Sequence, residues 1–230
     1  MSSINPYYTF NYSQPEEYRF SHDSVFLARQ VFELFNREQI NNLRILDLCA
    51  GCGIIGLDFL FHAKKELDAY PISVDFLEIQ EVYQSHFDAN RAHLDQSPTK
   101  IRFIQSNYDA LLQPPYEAHY NLILCNPPYF FPDKGRPSPS PFKNRCRFYI
   151  DSDFEHLIKG ITHCLATPGQ AYVLLRDLPQ HGWNPLNEAK KIVKDCCEIQ
   201  LLGDIRGTHL IKLSKTSAWD QSALSRSRNC

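Results

Sequence analysis

The sequence predicts a doubly wound α/β fold, with a mostly parallel seven-stranded sheet and helices on both faces. Three observations point to it. Apolar runs of strand length alternate with stretches of helical periodicity; a strand, a glycine loop and a helix follow one another at residues 45–59; and two short strands close the chain with no helix between them. A parallel crossover needs a dozen or so residues to return, which is what the intervening helices supply.

The elements follow in order. Val25, Phe26, Leu27, Ala28, Val31, Phe32, Leu34 and Phe35 recur at helical spacing after Ser21 and Asp23, either of which could cap the helix. "LRILDL" (43–48) is a short buried strand running into the glycine loop, and a helix spans about 53–65. The strand "ISVDFL" (72–77) precedes a helix through "QEVYQSHFDANRAHL" (80–94). Strands follow at "KIRFIQ" (100–105), "YNLILC" (120–125) and "QAYVLLRD" (170–177), the last two joined by a helix around "DFEHLIKGITHCL" (153–165). A helix near "PLNEAKKIVKDC" (185–196) leads to "EIQLLG" (198–203) and "THLIKL" (208–213), a candidate antiparallel pair.

A chain of 230 residues, 43% hydrophobic and 13% aromatic, can bury one substantial core, so a single domain over 1–213 is expected, with 1–42 as an N-terminal extension. Residues 214–230 read as a polar tail. No apolar run approaches the roughly 18 residues a membrane span needs, and the N-terminus lacks a basic-then-apolar signal, so a soluble, cytoplasmic protein is expected. The eight cysteines are scattered, several in apolar runs, which suits buried thiols in a reducing compartment. Cys49 and Cys52 form a C-x-x-C, but no second pair stands at zinc spacing, and no metal is expected. A net charge of −2 argues against coating nucleic acid over the whole surface and leaves room for a local basic patch.

"ILDLCAGCGIIGLDF" (45–59) holds a G-x-G-x-x-G at Gly51, Gly53 and Gly56. Glycines there permit a tight turn and a close backbone approach, so Cys49, Gly51 and Gly53 are candidate cofactor contacts. Glu78 follows 22 positions after Gly56, a spacing that also fits a nicotinamide dinucleotide. Asp47 turns the choice. At the carboxyl end of its strand it would repel a pyrophosphate and attract the cationic sulfonium and ammonium of S-adenosylmethionine. Glu78, at the end of the next strand, would then accept both ribose hydroxyls.

"YNLILCNPPYFF" ends a strand in Asn126-Pro127-Pro128-Tyr129. Two prolines can simply stop a strand. Beside a cofactor loop they can do more. An amino group on an aromatic base is a poor nucleophile because its lone pair is delocalised. The Asn126 carboxamide oxygen and the Pro127 carbonyl can each accept one of its N–H bonds and hold the nitrogen in line. Prolines preset those acceptors, Tyr129 can stack on a flat substrate, and Phe130 and Phe131 can wall the pocket. Downstream, "PDKGRPSPSPFKNRCRF" (132–148) carries Lys134, Arg136, Lys143, Arg145 and Arg147 against Asp133 alone. Such a flexible, basic loop at a pocket mouth suits phosphate contacts, which Arg226 and Arg228 of the tail could extend.

"DLCAGCGIIG" followed by "NPPY" resembles the class I S-adenosylmethionine-dependent amino-methyltransferases, whose sheet is Rossmann-like. With "QPEEYRFSHDSVFLA" (14–28) and "NPPYF", the likeness narrows to bacterial enzymes that methylate N6 of an adenine beside the anticodon of valine tRNA, over roughly residues 12–176. The resemblance implies an N6-adenine methyltransferase acting on RNA, most simply tRNA, as a monomer or weak dimer. It also implies a cofactor-side role for Phe20, Ser21 and Asp23, against the plainer reading of Asp23 as a helix cap. In that family the strand "IRFIQ" is followed by an acidic residue contacting adenine N6. This chain has Asn107, whose side-chain oxygen can accept the same bond, with Asp109 two residues later. Two further readings compete: a protein glutamine-N5 methyltransferase or other rRNA or DNA amino-methyltransferase, and a non-catalytic RNA-binding module on the same fold. The glutamine enzymes usually carry a sizeable N-terminal helical domain, for which the 42 residues before the first strand are too few.

Overall fold

The computed structural model describes residues 11–20, 22–94, 97–194 and 196–215. Ser21 and the tail from 216, with Arg226 and Arg228, lie outside them, as does the side chain of Lys134. In chain order the described elements are α1 (His22–Phe32), α2 (Arg37–Asn41), β1 (Arg44–Leu48), α3 (Ile54–Leu67), β2 (Ser73–Glu78), α4 (Tyr83–Arg91) and β3 (Lys100–Gln105). They continue with β4 (Tyr120–Cys125), α5 (Pro141–Arg147), α6 (Phe154–Cys164), β5 (Leu165–Leu175), α7 (Pro185–Val193), β6 (Glu198–Ile205) and β7 (Thr208–Lys215).

One seven-stranded sheet has the order β3-β2-β1-β4-β5-β7-β6. β1 pairs in parallel with β2 and β4, β2 with β3 and β4 with β5, whereas β7 runs antiparallel to both β5 and β6. The sheet is therefore mixed, and the closing antiparallel pair is the part that breaks the parallel rule. β7 continues through Lys215, two residues past the expected domain end at 213.

Strand alternation sorts the core into two layers, because successive side chains point to opposite faces. Ile45, Val74, Phe76, Leu122 and Leu124 pack with residues of α1, α3 and α4, such as Leu27, Leu57 and Phe87. Leu46, Leu48, Leu77, Ile123 and Val173 pack with Leu157, Ile161 and Val193 of α6 and α7. Both faces are thus covered, as near-continuous apolar strands require.

Two helices escape the periodicity. α2 is one short turn held by a capping box, in which Asn36 accepts from the Gln39 amide and Gln39 reaches back to the Asn36 amide. α5 starts at Ser140, whose hydroxyl accepts from the Lys143 amide, followed by Pro141 in the first turn. The stretch expected as a flexible loop therefore contains a capped helix, because Ser-Pro supplies both a cap and a pre-set φ. Both of its ends are tied down as well: the Phe142 ring lies 5.5 Å from Tyr83, and the Cys146 thiol accepts from the Gln80 amide at 3.3 Å.

After β1 the chain steps to β2 and β3 on one side, and then returns to place β4 on the other. The carboxyl ends of β1 and β4 are adjacent at this switch point, where open α/β sheets leave a crevice.

Candidate active site

A cavity of about 390 Å³ opens at that crevice. Its walls come from five stretches: Tyr18, Phe20, Asp23 and Ser24 before and in α1; Cys49–Cys52 after β1; Glu78–Gln80 after β2; Ser106–Tyr108 after β3; and Asn126–Phe130 after β4. Residues 145–152 at and beyond the end of α5, together with Arg176, complete the rim.

The glycine loop is built by backbone geometry. Cys49, Gly51 and Gly53 have φ of 59°, 53° and 83°, a region in which a side chain is strained. Gly53 is not a wall of the cavity; a Cβ there would come within 2.7 Å of the Phe87 ring, so it serves the seating of α3 on α4. Gly56 lets α3 lie on the sheet, since a Cβ would stand 2.5 Å from Phe76.

Asp47 corrects the sequence reading most sharply. It shares the face of Ile45 rather than the strand end, is fully buried, and accepts the Gly56 amide through Oδ2 at 2.8 Å. Its Oδ1 has no hydrogen-bond partner among the described residues, and Asp47 does not line the cavity. Burial holds its carboxyl well above the ordinary aspartate range, opposed by the Gly56 amide and reinforced by Glu78. Its place is under the first turn of α3, off the cavity wall.

Glu78 does reach the cavity. It is the last residue of β2, and its two carboxylate oxygens accept the Gly51 and Gln80 amides, each at 2.9 Å. Burial raises its pKa, with the amides of Gln80, Gly51 and Ile79 pulling the other way. An ionised carboxylate offers about four acceptor positions, so capacity remains for the two hydroxyls of a ribose. That donor set fits the nucleoside part of an adenosyl cofactor.

Asn107 lines the cavity, but its side chain is engaged elsewhere. Oδ1 accepts the Asp109 amide at 3.1 Å, and Nδ2 donates to the Asp151 carbonyl at 2.8 Å. Asn107 thus closes the turn and pins residue 151 while lining the cavity, and its Oδ1 keeps a second lone pair. Asp109 is also occupied, accepting the Ser152 hydroxyl at 2.5 Å.

The loop after β4 is held open from both sides. The Tyr129 and Phe130 amides donate to the Arg147 carbonyl at 3.1 and 2.9 Å, and the Tyr149 amide donates to the Phe130 carbonyl at 2.9 Å. Asn126 Nδ2 donates to the Ser24 hydroxyl at 3.1 Å, and the Tyr129 hydroxyl donates to Asn126 Oδ1. Pro127 and Pro128 both line the cavity. Burial pushes the Tyr129 phenol far above its ordinary value, so it stays a neutral donor. Phe130 lines the cavity, whereas Phe131 turns to the other layer and meets the Trp183 ring at 4.7 Å, so the expected wall is Phe130 alone.

Only part of the basic cluster reaches the rim. Arg145 lines the cavity and pairs with Asp151 at 3.0 Å, and Arg147 lines it with its guanidinium 5.4 Å from the Phe130 ring centre and 5.5 Å from that of Phe148. Arg136 is exposed and Lys143 half-buried, and neither is a wall residue. Asp23 lies inside the first turn of α1, not ahead of it, with Oδ1 3.8 Å from Arg206 Nε. The cap reading therefore gives way to a place on the cavity wall. Sequence reasoning missed Tyr18, Ser24, Tyr149, Asp151 and Arg176; of these, Ser24 alone had a local signal, as a small polar residue next to Asp23.

Comparisons with known proteins point to methyltransferases. No family model matches the chain. A tRNA1(Val) (adenine(37)-N6)-methyltransferase of Shewanella sp. strain W3-18-1 is 28% identical over 149 residues, which is 64% of this chain and 58% of that protein. The enzyme of the same description from Flavobacterium psychrophilum is 29% identical over 192 residues, covering 82% of this chain and 72% of its own. The chain resembles the tRNA adenine-N6-methyltransferases. It spans less than two thirds of the length of the Shewanella protein. Among solved structures, the T. thermophilus 16S rRNA N2 G1207 methyltransferase, in complex with AdoMet and guanosine, superposes with a TM-score of 0.60 at 14% identity, over 87% of this chain and 44% of that one. A methyltransferase from Pyrococcus furiosus gives 0.57 at 15% identity, over 90% and 89%. The fold is shared with these methyltransferase structures.

Proposed function

We propose that this protein is an S-adenosylmethionine-dependent N-methyltransferase that acts on the exocyclic N6 of adenine in RNA, with tRNA as the substrate class. One observation carries the reading: the Asn126 carboxamide and the Asn126-Pro127-Pro128-Tyr129 backbone border the same cavity as the glycine loop and Glu78, at the switch point of the sheet. The tRNA assignment draws on the relatives' described activity.

Bound S-adenosylmethionine supplies an electrophilic methyl group on a sulfonium. Glu78 takes its ribose hydroxyls, Gly51 and its neighbours give the backbone room, and Asp23 and Phe20 close the N-terminal side. The free lone pair of Asn126 Oδ1 and the Pro127 carbonyl each accept one N–H of the substrate amine. Methyl transfer would break the carbon–sulfur bond, leave a neutral thioether and put positive charge on the nitrogen; the two contacts would strengthen with that charge, which is where they would lower the barrier. The proton then leaves to solvent, so no general base, metal or covalent intermediate is needed. Reaching N6 requires the base out of its stack, with Tyr129 and Phe130 offering ring surface for it.

Arg145 and Arg147 at the rim, and Arg136 and Lys143 farther out, suit phosphates on either side of a flipped base. The protein acts as one methyltransferase domain, monomeric or weakly dimeric, in a reducing cytoplasm, as its seven free described cysteines suit. Among the described residues no helix is long and apolar enough to cross a membrane.

The test is transfer of labelled methyl to total tRNA and, separately, to total protein. Label in tRNA supports the reading. Label in protein alone would move the acceptor to a glutamine amide, and label in neither, with no heat of cofactor binding, would favour a non-catalytic RNA-binding module.

A further inference from the structure

Cys49 holds a φ of 59°, a strained value for a residue with a side chain, and such values persist only where the surroundings enforce them. Two side chains hold the glycine loop that Cys49 begins. Glu78 takes the Gly51 amide from the cavity side at 2.9 Å. The second is Asn90 of α4, which is not a wall residue.

Asn90 is wholly buried, and its hydrogen bonds go to backbone groups. Oδ1 accepts the Ser13 amide at 2.6 Å, while Nδ2 donates to the Ser13 carbonyl at 2.9 Å and to the Cys52 carbonyl at 3.0 Å. Backbone partners cannot exchange donor for acceptor, so the carboxamide has one orientation. Turned over, it would set N–H against N–H and oxygen against two carbonyls. Asn90 thus pairs with Ser13 as a neighbouring strand would, and its second N–H grips the glycine loop between Gly51 and Gly53.

Residues 11–20 form a strap that leads from this anchor to the cavity, where Tyr18 and Phe20 are wall residues. Other contacts fasten the strap along its length. The Tyr12 hydroxyl donates to Asp58 Oδ1 at 2.6 Å, the Tyr12 ring meets Phe20 edge-on at 5.6 Å, and the Ser140 hydroxyl at the start of α5 donates to Glu17 Oε2 at 2.7 Å. Of these contacts, only that of Asn90 joins the strap to the glycine loop.

Resting on the cofactor reading above, we infer that Asn90 is a positioning residue for S-adenosylmethionine: it ties the 11–20 strap to the glycine loop, so that both walls meet the cofactor as one preset unit. Asn90 does not touch the cofactor; it acts through Ser13 and Cys52.

The experiment combines calorimetric titration with S-adenosylmethionine, kcat at saturating cofactor, KM for tRNA, and amide hydrogen exchange of the cofactor-free protein. If loss of the carboxamide leaves about one molecule in ten with both walls in place, apparent cofactor affinity falls about tenfold in Asn90→Ala. At saturating cofactor kcat, and KM for tRNA, should each move less than about threefold, because bound cofactor restores the arrangement. Exchange should quicken at 12–20 and 49–53 and keep its wild-type rate in β4 and β5, a pattern that a general loss of stability would not give. Ser13→Pro removes the strap's amide donor and should reproduce the affinity loss. Ser13→Ala keeps both backbone partners of Asn90 and loses only the hydroxyl bonded to His86, so its affinity should stay within about threefold of wild type.

An Asn90→Ala protein that binds cofactor as wild type does overturns this inference alone, and so does exchange that quickens throughout the sheet. Should Asn90→Ala fail to fold, the Ser13 pair decides: no loss in Ser13→Pro, or an equal loss in Ser13→Ala, rejects the tie. A wild type that gives no heat with S-adenosylmethionine refutes the proposed function instead, while exchange at 12–20 and 49–53 still reports whether Asn90 joins strap to loop.

Discussion

Replacing Asp47 separates a structural carboxylate from a cofactor ligand. Asp47 is fully buried, gives one oxygen to the Gly56 amide at 2.8 Å and leaves the other without a partner. Asp47→Asn keeps a carbonyl oxygen for Gly56 and removes a charge that burial disfavours, at the cost of an NH2 in place of an already unpartnered oxygen. Those changes oppose each other, so stability should stay within about 1 kcal/mol of wild type. Asp47→Ala leaves the Gly56 amide buried and unmet, which costs about 1–3 kcal/mol, or roughly 2–12 °C in melting temperature for a domain of this size. The assays are thermal melting and calorimetric titration with S-adenosylmethionine. The structure predicts cofactor affinity in Asp47→Asn within about threefold of wild type, since the side chain is not on the cavity wall. An Asp47→Asn protein that melts normally yet binds more than about thirtyfold more weakly would mean that the negative charge itself attracts the cofactor, and would refute the reasoning.

Three further outcomes follow from the same geometry. Gly56→Ala should destabilise by about 1–3 kcal/mol by driving a methyl group into the Phe76 ring 2.5 Å away, whereas Gly51→Ala, with 3.7 Å to Tyr83, should lose stability only through its φ of 53°; melts of the two variants compare them. Burial raises the pKa of Glu78. Between the ordinary glutamate value and that raised value the folded chain therefore holds a proton the unfolded chain has lost, and stability falls as pH rises through the window. Cofactor hydroxyls favour the ionised form, so affinity should rise with pH across the same window, and a flat titration would contradict the assignment. Arg145→Ala and Arg147→Ala should each weaken tRNA binding and reduce the slope of log affinity against log salt by about one, measured by fluorescence titration.

Much of the site was legible because it depends on local order. The strand, glycine loop and helix at 45–59, the position of Glu78 at the end of its strand, and the prolines after "YNLILC" all carry their meaning in sequence neighbours. Asp47 was misread although its signal was present: alternation puts it on the face of Ile45, toward α3, one step inside the strand end. α5 also had a signal, since Ser140-Pro141 is a helix start, but the run of prolines before it reads as loop. Asn107 had none. Its Nδ2 partner is the carbonyl of Asp151, 44 residues on, and no spacing rule connects them. The same holds for Ser24, whose hydroxyl meets the Asn126 carboxamide across 102 positions of sequence.

The most direct test of the central claim is a single-turnover comparison of wild type with Asn126→Ala, using tRNA and labelled S-adenosylmethionine, with the product nucleoside identified by mass spectrometry. Wild type should yield labelled N6-methyladenosine, and Asn126→Ala should form it roughly 10²-fold more slowly while binding cofactor with affinity within a few-fold of wild type. Equal rates in the two proteins, or label on any nucleoside atom other than adenine N6, would contradict the account.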